Sequence, residues 1–237
     1  MREQDIRTAM MLGEGAVDRL KSSRVAVFGI GGVGGYTVEA LARAGVGELH
    51  LIDADRVSLS NINRQIIATH KTVGQYKTEA AKERILEINP DARVFTYNIF
   101  FGEETASELD FSSFDYIVDA IDSLSSKILL ITLAKESGTP IISAMGAGNK
   151  LDPTRFEVSD ISKTEVCPLA RAVRVALRKK GINHLKVVYS KEKPSLLSPD
   201  SDAEKCDGKA APGSISFVPS VMGLIIGGEV IKDIAKS

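Results

Sequence analysis

A short segment near the N-terminus restricts the fold of this chain more than any other part of its sequence. Residues 25–28 (VAVF) are continuously apolar, and the glycines that follow, Gly29, Gly31 and Gly34, fit the spacing G-x-G-x-x-G. Uninterrupted apolar runs are typical of strands buried on both faces of a parallel sheet. Glycines at this spacing allow a tight turn into a helix whose first N–H groups can face an anion. The segment predicts a strand–turn–helix unit that binds a nucleotide; a packing turn without a ligand is the alternative.

Apolar strands and amphipathic helices continue to alternate beyond this unit. Further strands are predicted at 49–52, 94–98, 116–121 and 140–144, and helices at 31–44, 78–88 and 127–136. This order predicts an α/β fold, in which a Rossmann-like, doubly wound, mostly parallel sheet carries helices on both faces and is followed by a less regular C-terminal extension.

Three segments are predicted along the chain. They are an N-terminal helical segment (1–24), a nucleotide-binding core (25–150) and a substrate-binding extension (151–237). Residues 190–213 are rich in Ser, Pro, Asp and Lys, which predicts a mobile loop of the length that often forms a lid. Residues 217–235 are predicted to form a buried helix, because charged residues interrupt the apolar run before it reaches the length of a membrane span.

Composition excludes several classes of protein. The formal net charge is −1, so a polyanionic partner would need a local basic patch. The only two cysteines, Cys167 and Cys206, are too few for a four-thiolate zinc site or a disulfide framework. The N-terminal residues MREQDIRTAMML lack the apolar core of a signal peptide. We therefore expect a cytoplasmic protein without a membrane-embedded part.

Polar side chains are concentrated just after the predicted second strand. Asp53 ends this strand, where a carboxylate can accept from ribose hydroxyls, and Asp55 follows it. The next polar positions are Asn61, Asn63, Arg64 and Gln65, in the stretch NINRQ, and Lys77. Arg64 offers a planar fork for phosphate oxygens, and Lys77 supplies a second cation. An NAD-dependent dehydrogenase needs neither cation, whereas an enzyme that transfers AMP from ATP does, so the pattern favours ATP.

A carboxylate for a metal ion is predicted on the neighbouring strand. Asp122 ends the predicted fourth strand, in VDAIDS. Ligands of open α/β sheets bind at the carboxyl ends of the strands, where such a carboxylate can hold Mg²⁺ beside the phosphates. Each of these residues alone would be interpreted as a solvated surface charge. Together, on the ligand-facing loops of one sheet, they predict a site for ATP and Mg²⁺.

Three stretches resemble the ubiquitin-activating-enzyme superfamily. They are GIGGVGGYTVEALARAGVGELHLIDADRVSLSNINRQ (29–65), VGQYKTEAAKERILEINP (73–90) and VDAIDS (118–123). The resemblance covers about the first 150 residues. It implies that ATP lies against Gly31 and Gly32, that Asp53 holds its ribose, that Asn61, Arg64 and Lys77 hold its phosphates, and that Asp122 holds Mg²⁺. It also implies a homodimer in which Arg7 reaches the ATP of the partner subunit; without the resemblance, Arg7 is a solvated helix charge.

The distal half resembles one subfamily, the tRNA threonylcarbamoyladenosine dehydratases. The stretches are SAMGAGNKLDPTRFEVSDISKTEVCPLARAVRVALRKKGI (143–182) and KVVYSKEKP (186–194). The resemblance implies ATP-dependent cyclisation of a modified adenosine beside the tRNA anticodon. The threonyl carboxylate would be adenylated, and the carbamoyl group of the same nucleoside would attack it, so that AMP and pyrophosphate are released. Tethered reacting ends need no enzyme nucleophile, which agrees with the scarcity of cysteine.

Other functions stay open at this point. The chain could activate the C-terminal glycine of a ubiquitin-like sulfur carrier, with a cysteine desulfurase or sulfur acceptor as a further candidate partner, although the paired CxxC motifs usual in such enzymes are absent from the sequence. A thioester on Cys167 is another alternative, but a lone cysteine is more often a packing residue. A non-catalytic nucleotide-sensing scaffold is another alternative, although it could lose Arg64, Lys77 and Asp122, which are all present. An NAD-dependent dehydrogenase is the last alternative, although it would have no use for Arg64 and Lys77.

The densest basic segment is RAVRVALRKK. Its cations are Arg171, Arg174, Arg178, Lys179 and Lys180. The three arginines are spaced three and four residues apart, so they share one helix face. This face predicts salt-sensitive contacts with tRNA phosphates, and a merely solvated helix face is the alternative.

Overall fold

The computed structural model describes residues 2–195, 205–206, 209–210 and 212–236. The strands are β1 (Arg24–Phe28), β2 (Glu48–Ile52), β3 (Arg93–Tyr97), β4 (Tyr116–Asp119), β5 (Ile141–Ala144), β6 (Phe156–Asp160), β7 (Lys186–Ser190), β8 (Lys205–Cys206) and β9 (Lys209–Ala210). The helices are α1 (Ile6–Leu12), α2 (Glu14–Ser22), α3 (Gly34–Ala44), α4 (Lys77–Ile88), α5 (Leu124–Glu136), α6 (Pro168–Lys179) and α7 (Phe217–Lys236).

The main sheet has the strand order β3-β2-β1-β4-β5-β7-β6. All neighbours are parallel except β6, which runs antiparallel to β7. The order reverses between β1 and β4, which is the position where open α/β sheets bind ligands. The predicted doubly wound, mostly parallel sheet is confirmed.

Two of the predicted boundaries that differ from the structure affect the site. The fourth strand ends at Asp119, not at Ile121, because the Ile121 N–H donates to Asp119 Oδ1 (3.2 Å) and so turns the chain away from the sheet. The helix after β1 begins at Gly34, not at Gly31, because residues 29–33 form the turn that leads into it. Asp122 therefore lies on a loop beyond β4.

β1 is apolar throughout because it is buried on both faces. Val25 and Val27 pack in a core with α3, α4 and α7, whereas Ala26 and Phe28 pack in a second core with α5 and α6. All four side chains are completely buried. Successive residues of a strand point to opposite faces, so a strand between two helical layers needs apolar residues at every position.

The predicted C-terminal helix is present as α7 and packs closely on α3. A Cβ atom added to Gly227 would lie 2.7 Å from the Ala40 Cβ atom. The Thr37 hydroxyl donates to the Gly223 carbonyl oxygen (3.0 Å) across the same contact. Small residues in α7 therefore set its distance from the helix that follows the glycine turn.

Two adjacent glycines of α7 are expected to respond oppositely to alanine. Gly227→Ala should lower the free energy of unfolding by about 1–3 kcal/mol, because the new methyl group overlaps Ala40. Gly228→Ala should raise it by up to about 1 kcal/mol, because no atom lies within 4 Å of the added Cβ and alanine favours the helix. Urea denaturation of both variants measures the difference. Equal effects would contradict the close packing of α7 on α3.

The N-terminal helices are tied to the sheet edge at which the parallel strands begin. Arg2 donates to Asp5 (2.9 Å) and to Asp91 (2.9 Å), which lies just before β3. Lys21, just before β1, is 2.8 Å from Asp5. The hydrogen bond from Arg2 is the main reason that the pKa of Asp5 falls to about 2. These ion pairs place the start of α1 at the amino edge of the sheet.

Half of the predicted mobile loop at 190–213 lies outside the described residues, so its lid role stays a prediction. Within it, β8 and β9 pair in antiparallel orientation. None of the helices in the described ranges combines the length and the apolar character that a bilayer crossing requires.

Candidate active site

The glycine turn lies at the reversal point between β1 and β4. Gly29 has φ of +87°, and a Cβ atom there would lie 2.6 Å from the Ala120 carbonyl oxygen. Gly34 is equally constrained, because its Cβ would overlap the Gly29 carbonyl oxygen. Gly31 differs from both, since only Gln65 Nε2 would lie near its Cβ, at 3.8 Å. Packing within the protein explains Gly29 and Gly34 but leaves Gly31 open to the close approach of a ligand.

Gly32 lies against two other parts of the chain, α7 and the NINRQ stretch. A Cβ atom on it would be 3.2 Å from the Pro219 Cβ and 3.5 Å from the Arg64 Cγ. The structure therefore brings the predicted phosphate ligand Arg64 to the glycine turn, although the two are more than thirty residues apart in the sequence.

Asp53 ties β2 to the same turn. Its Oδ2 atom accepts from the Ile30 N–H (2.6 Å), and its Oδ1 atom accepts from the Asp55 N–H (2.8 Å). Burial raises the pKa of Asp53, while the nearby charge of Lys77 opposes that rise. The carboxylate therefore orients the loop, and its predicted contact with a ribose stays a prediction.

Lys77 and Asp55 form an ion pair beside Asp53. The Lys77 ammonium donates to Asp55 Oδ2 (2.6 Å), and its side chain is nearly buried whereas that of Asp55 is exposed. Both had been predicted to contact ATP, and the structure brings them together. A phosphate oxygen that binds Lys77 would compete with this carboxylate for the ammonium.

The NINRQ stretch forms a compact turn after β2. Asn61 is buried, and its Oδ1 accepts from the Ser58 N–H (3.1 Å), so at least half of its amide supports the turn. Arg64 donates only through Nη1, to the Ser60 carbonyl oxygen (3.0 Å) and Asn63 Oδ1 (2.9 Å), among the described residues. The remaining guanidinium N–H groups of Arg64 can bind an anion. Gln65 is buried, and its Oε1 atom has no partner among the described residues.

Asp122 lies on the opposite side of the glycine turn from Arg64. It follows Ile121, whose N atom would be 3.2 Å from a Cβ on Gly29. Its side chain is exposed and has no hydrogen bond or ion pair with a described residue. Mg²⁺ prefers oxygen ligands, so the carboxylate of Asp122 is chemically suited to its predicted role as a Mg²⁺ ligand. No group of three His, Cys, Asp or Glu side chains in the described ranges could hold a metal by itself, so phosphate oxygens and water would complete the coordination.

A buried ion pair that the sequence did not predict lies directly beneath this loop. Lys127 donates to Asp119 Oδ2 (2.7 Å) and to the Ala144 carbonyl oxygen (3.0 Å), and the Ser143 hydroxyl donates to the same Asp119 oxygen. Lys127 and Asp119 are completely buried. The available signal was an acid inside the apolar run YIVDAI, since a buried carboxylate needs a partner.

Arg7 lies far from the glycine turn of its own chain. It is exposed on α1, two residues after Asp5, which is anchored at the amino edge. The glycine turn is at the carboxyl edge. The structure thus does not bring Arg7 to the other predicted site residues within one subunit.

The basic helix is α6, and its cations are not equivalent. Arg171, Arg178, Lys179 and Lys180 are exposed. Arg174 is only partly exposed, and its Nη1 donates to the Thr164 carbonyl oxygen (2.8 Å) and hydroxyl (2.6 Å). The predicted RNA contact of Arg174 therefore competes with a structural role that holds the segment before α6.

Cys167 is buried at the start of α6 (3% exposed), which favours its interpretation as a packing residue. A thioester nucleophile has to reach a bound acyl-adenylate, and this thiol is enclosed by α6 and the loop after β5. The side chain of Cys206 lies outside the described residues.

Comparison with known proteins agrees with this geometry. The chain matches the ThiF family over residues 4–237. It is 43% identical over 244 residues to a Bacillus subtilis protein named tRNA threonylcarbamoyladenosine dehydratase, and the match covers all of this chain and 96% of that protein.

Solved structures show the same similarity. The crystal structure of Escherichia coli tRNA N6-threonylcarbamoyladenosine dehydratase, TcdA, in complex with AMP has a TM-score of 0.89 and 34% identity, and the match covers 99% of this chain and 95% of that one. The complex of the same E. coli enzyme with ATP gives a TM-score of 0.88 and 33% identity, with the same coverage. The reversal-point cleft, its cations and the full-length matches lead to one conclusion: the chain belongs to the ThiF family.

Proposed function

We propose that this chain is an ATP-dependent tRNA threonylcarbamoyladenosine dehydratase. The observation that supports it most directly is the glycine turn, left open at Gly31, with Arg64 on one side and Asp122 on the other. The full-length similarity to proteins of that name supports the choice of substrate over a sulfur-carrier protein. None of the described features favours a sulfur-acceptor partner, which stays a prediction.

The proposed reaction has two steps. An oxygen of the threonyl carboxylate attacks the α-phosphorus of ATP, the bond to the β-phosphate oxygen breaks, and pyrophosphate leaves. A carbamoyl nitrogen or oxygen then attacks the acyl carbon, a carbamoyl N–H proton is lost, and AMP is expelled. The nucleoside loses one water in total, and its two tethered ends supply the effective concentration that a bimolecular attack lacks.

The side chains of the cleft have distinct roles in this proposal. Arg64 and Lys77 bind the phosphate oxygens on which negative charge develops, and Asp53 orients the turn. Asp122 would hold Mg²⁺, whose positive charge would stabilise the negative charge of the leaving pyrophosphate. Lys77 would leave Asp55 for a phosphate oxygen, so Asp55 keeps the ammonium in position until ATP binds.

We extend the proposal to a homodimer in the cytoplasm. The start of α1 is anchored at the amino edge of the sheet and the cleft is at the carboxyl edge, so we assign the contact of Arg7 with ATP to the cleft of a partner subunit. Met10 and Met11 are 79% and 84% exposed on the same helix. Exposed apolar side chains next to each other favour a protein interface, and a second copy would cover them.

Nucleoside mass spectrometry tests the function. Incubation of the protein with ATP and tRNA that carries threonylcarbamoyladenosine should produce a nucleoside lighter by one water, with one AMP released per conversion. ATP with a methylene group between the α- and β-phosphorus should give no product, because pyrophosphate cannot leave. An unchanged nucleoside mass, together with adenylation of an added sulfur-carrier protein, would show that the carrier alternative is correct.

A further inference from the structure

A cavity separate from the nucleotide cleft lies on the α5–α6 side of the sheet. It is a groove of about 880 Å³ along α6, bounded by the segment 164–167 and by Ile128 of α5. Ile128, Val166, Ala172, Val175 and Ala176 line it with apolar side chains. No residue assigned to ATP contributes to its lining, so the groove is separate from the adenylation site.

The groove begins close to that site. Cys167, at the start of α6, has its Sγ atom 3.5 Å from the position of a Cβ on Gly146, just after β5. β5 is two strands away from β1, which corresponds to about 10 Å at the usual strand spacing. α6 runs from this carboxyl edge toward the amino edge, where Arg174 contacts the Ile161 carbonyl oxygen (3.3 Å). A ligand in the groove could therefore extend from a substrate held in the cleft.

The rim of the groove is positive. Arg171, Lys179 and Lys180 line it, are exposed, and form no ion pair with a described residue. Glu165 is the acidic residue of the lining, and it lies 3.7 Å from the Lys191 ammonium, which offsets its charge. An apolar floor with a cationic rim suits a ligand that combines flat apolar faces with phosphates.

A strained turn holds the entrance in place. Val166 has φ of +63°, in the left-handed region that β-branched residues rarely adopt. The Cys167 N–H donates to the Glu165 carbonyl oxygen (2.6 Å) and so closes a three-residue turn around Val166. Arg174 donates to Thr164, the residue before Glu165, and so holds the start of this turn. The result is a valine that remains 45% exposed at the mouth of the groove. Strain of this kind is found at ligand-binding positions.

We infer that the groove between α5 and α6 binds an unpaired nucleotide of the RNA substrate, next to the modified adenosine, with its base on Val166 and Val175 and its phosphate on Arg171. This inference rests on the proposed function, because it assigns a subsite to the same tRNA. Apolar and guanidinium surfaces are the ones on which unstacked RNA bases bind. The groove then explains why an exposed valine, Val175, lies among the cations of α6.

Neutral substitutions test the groove by RNA binding. Arg171→Gln and Val175→Asn should each weaken the affinity for a tRNA stem-loop roughly tenfold in fluorescence anisotropy. Arg171→Gln should also lower the slope of log K against log salt by about one, whereas Val175→Asn should leave it unchanged. The matched controls are Lys135→Gln, exposed on the last turn of α5, and Val158→Asn, exposed on β6. Wild-type affinity in both groove variants would overturn the inference and leave the groove to a protein partner.

Cross-linking adds a result that does not depend on a variant. A stem-loop with 4-thiouridine beside the modified adenosine should cross-link to the peptide that contains residues 164–180. Cross-links confined to other peptides would overturn the inference. The binding and cross-linking results do not require turnover, so failure of the proposed function, seen as an unchanged nucleoside mass in the wild-type reaction, is distinguishable from failure of the groove.

Discussion

Replacing Asp122 with alanine should reduce AMP formation roughly 100- to 1,000-fold while the protein stays folded. The carboxylate is exposed and makes no hydrogen bond or ion pair with any residue in the described ranges. Its loss should therefore change the free energy of unfolding by less than about 0.5 kcal/mol. AMP release from labelled ATP with modified tRNA, at several Mg²⁺ concentrations, measures the effect. Excess Mg²⁺ should restore part of the rate if the carboxylate binds the metal.

Asp18→Ala is the matched control, because Asp18 is an exposed aspartate on α2 at a distance from the cleft. It should retain the wild-type rate. Full turnover by Asp122→Ala would contradict the proposal that Asp122 binds Mg²⁺.

Mixing of two inactive variants extends this test to the proposed dimer. Arg7→Ala and Asp122→Ala chains that exchange subunits form dimers with one intact site, which should restore about a quarter of the wild-type activity. Each variant alone should stay inactive. Absence of recovery, with subunit exchange verified, would show that Arg7 does not act in the partner's site.

The fold could be predicted because its main signals are local in sequence. The apolar run of β1 and the glycines after it specify a buried strand and a turn, whatever the rest of the chain does. The periodicity of α6 likewise placed Arg171 and Arg178 on its exposed side. Arg174 was harder to predict, because its engagement depends on Thr164, and the spatial position of that residue is set by the preceding strand and turn.

The interior of the site could not be predicted to the same extent. Asn61 is polar and close in sequence to the predicted phosphate ligand Arg64, which suggests that it binds phosphate. In the structure its side-chain oxygen, Oδ1, instead accepts from the Ser58 N–H of its own turn. The pairing of Asp119 with Lys127 joins β4 to α5, and the Ser143 hydroxyl adds β5. Such a cluster depends on the mutual placement of three elements. The sequence indicates only that each of these polar residues stands in an apolar context.

That buried cluster leads to the second large effect. Lys127→Met should lower the free energy of unfolding by about 3–5 kcal/mol, because Asp119 would stay completely buried without its countercharge. Adding Asp119→Asn to the same chain should recover much of this loss, since a neutral amide needs no countercharge. Urea denaturation of the single and double variants gives the coupling energy. Lys135→Met, exposed on the same helix, should change stability by less than about 0.5 kcal/mol.

The same cluster should influence catalysis through geometry. Lys127 holds one oxygen of Asp119, and the other oxygen accepts from the Ile121 N–H, immediately before Asp122. Loss of Lys127 should thus displace the loop that carries Asp122. If Asp122 binds Mg²⁺ as proposed, the double variant should bind Mg²⁺ more weakly even where its stability has recovered. A double variant with wild-type stability and a wild-type Mg²⁺ dependence of AMP formation would show that the ion pair supports the fold alone. A stable double variant that needs more Mg²⁺ for AMP formation would instead show that the Lys127–Asp119 pair positions Asp122.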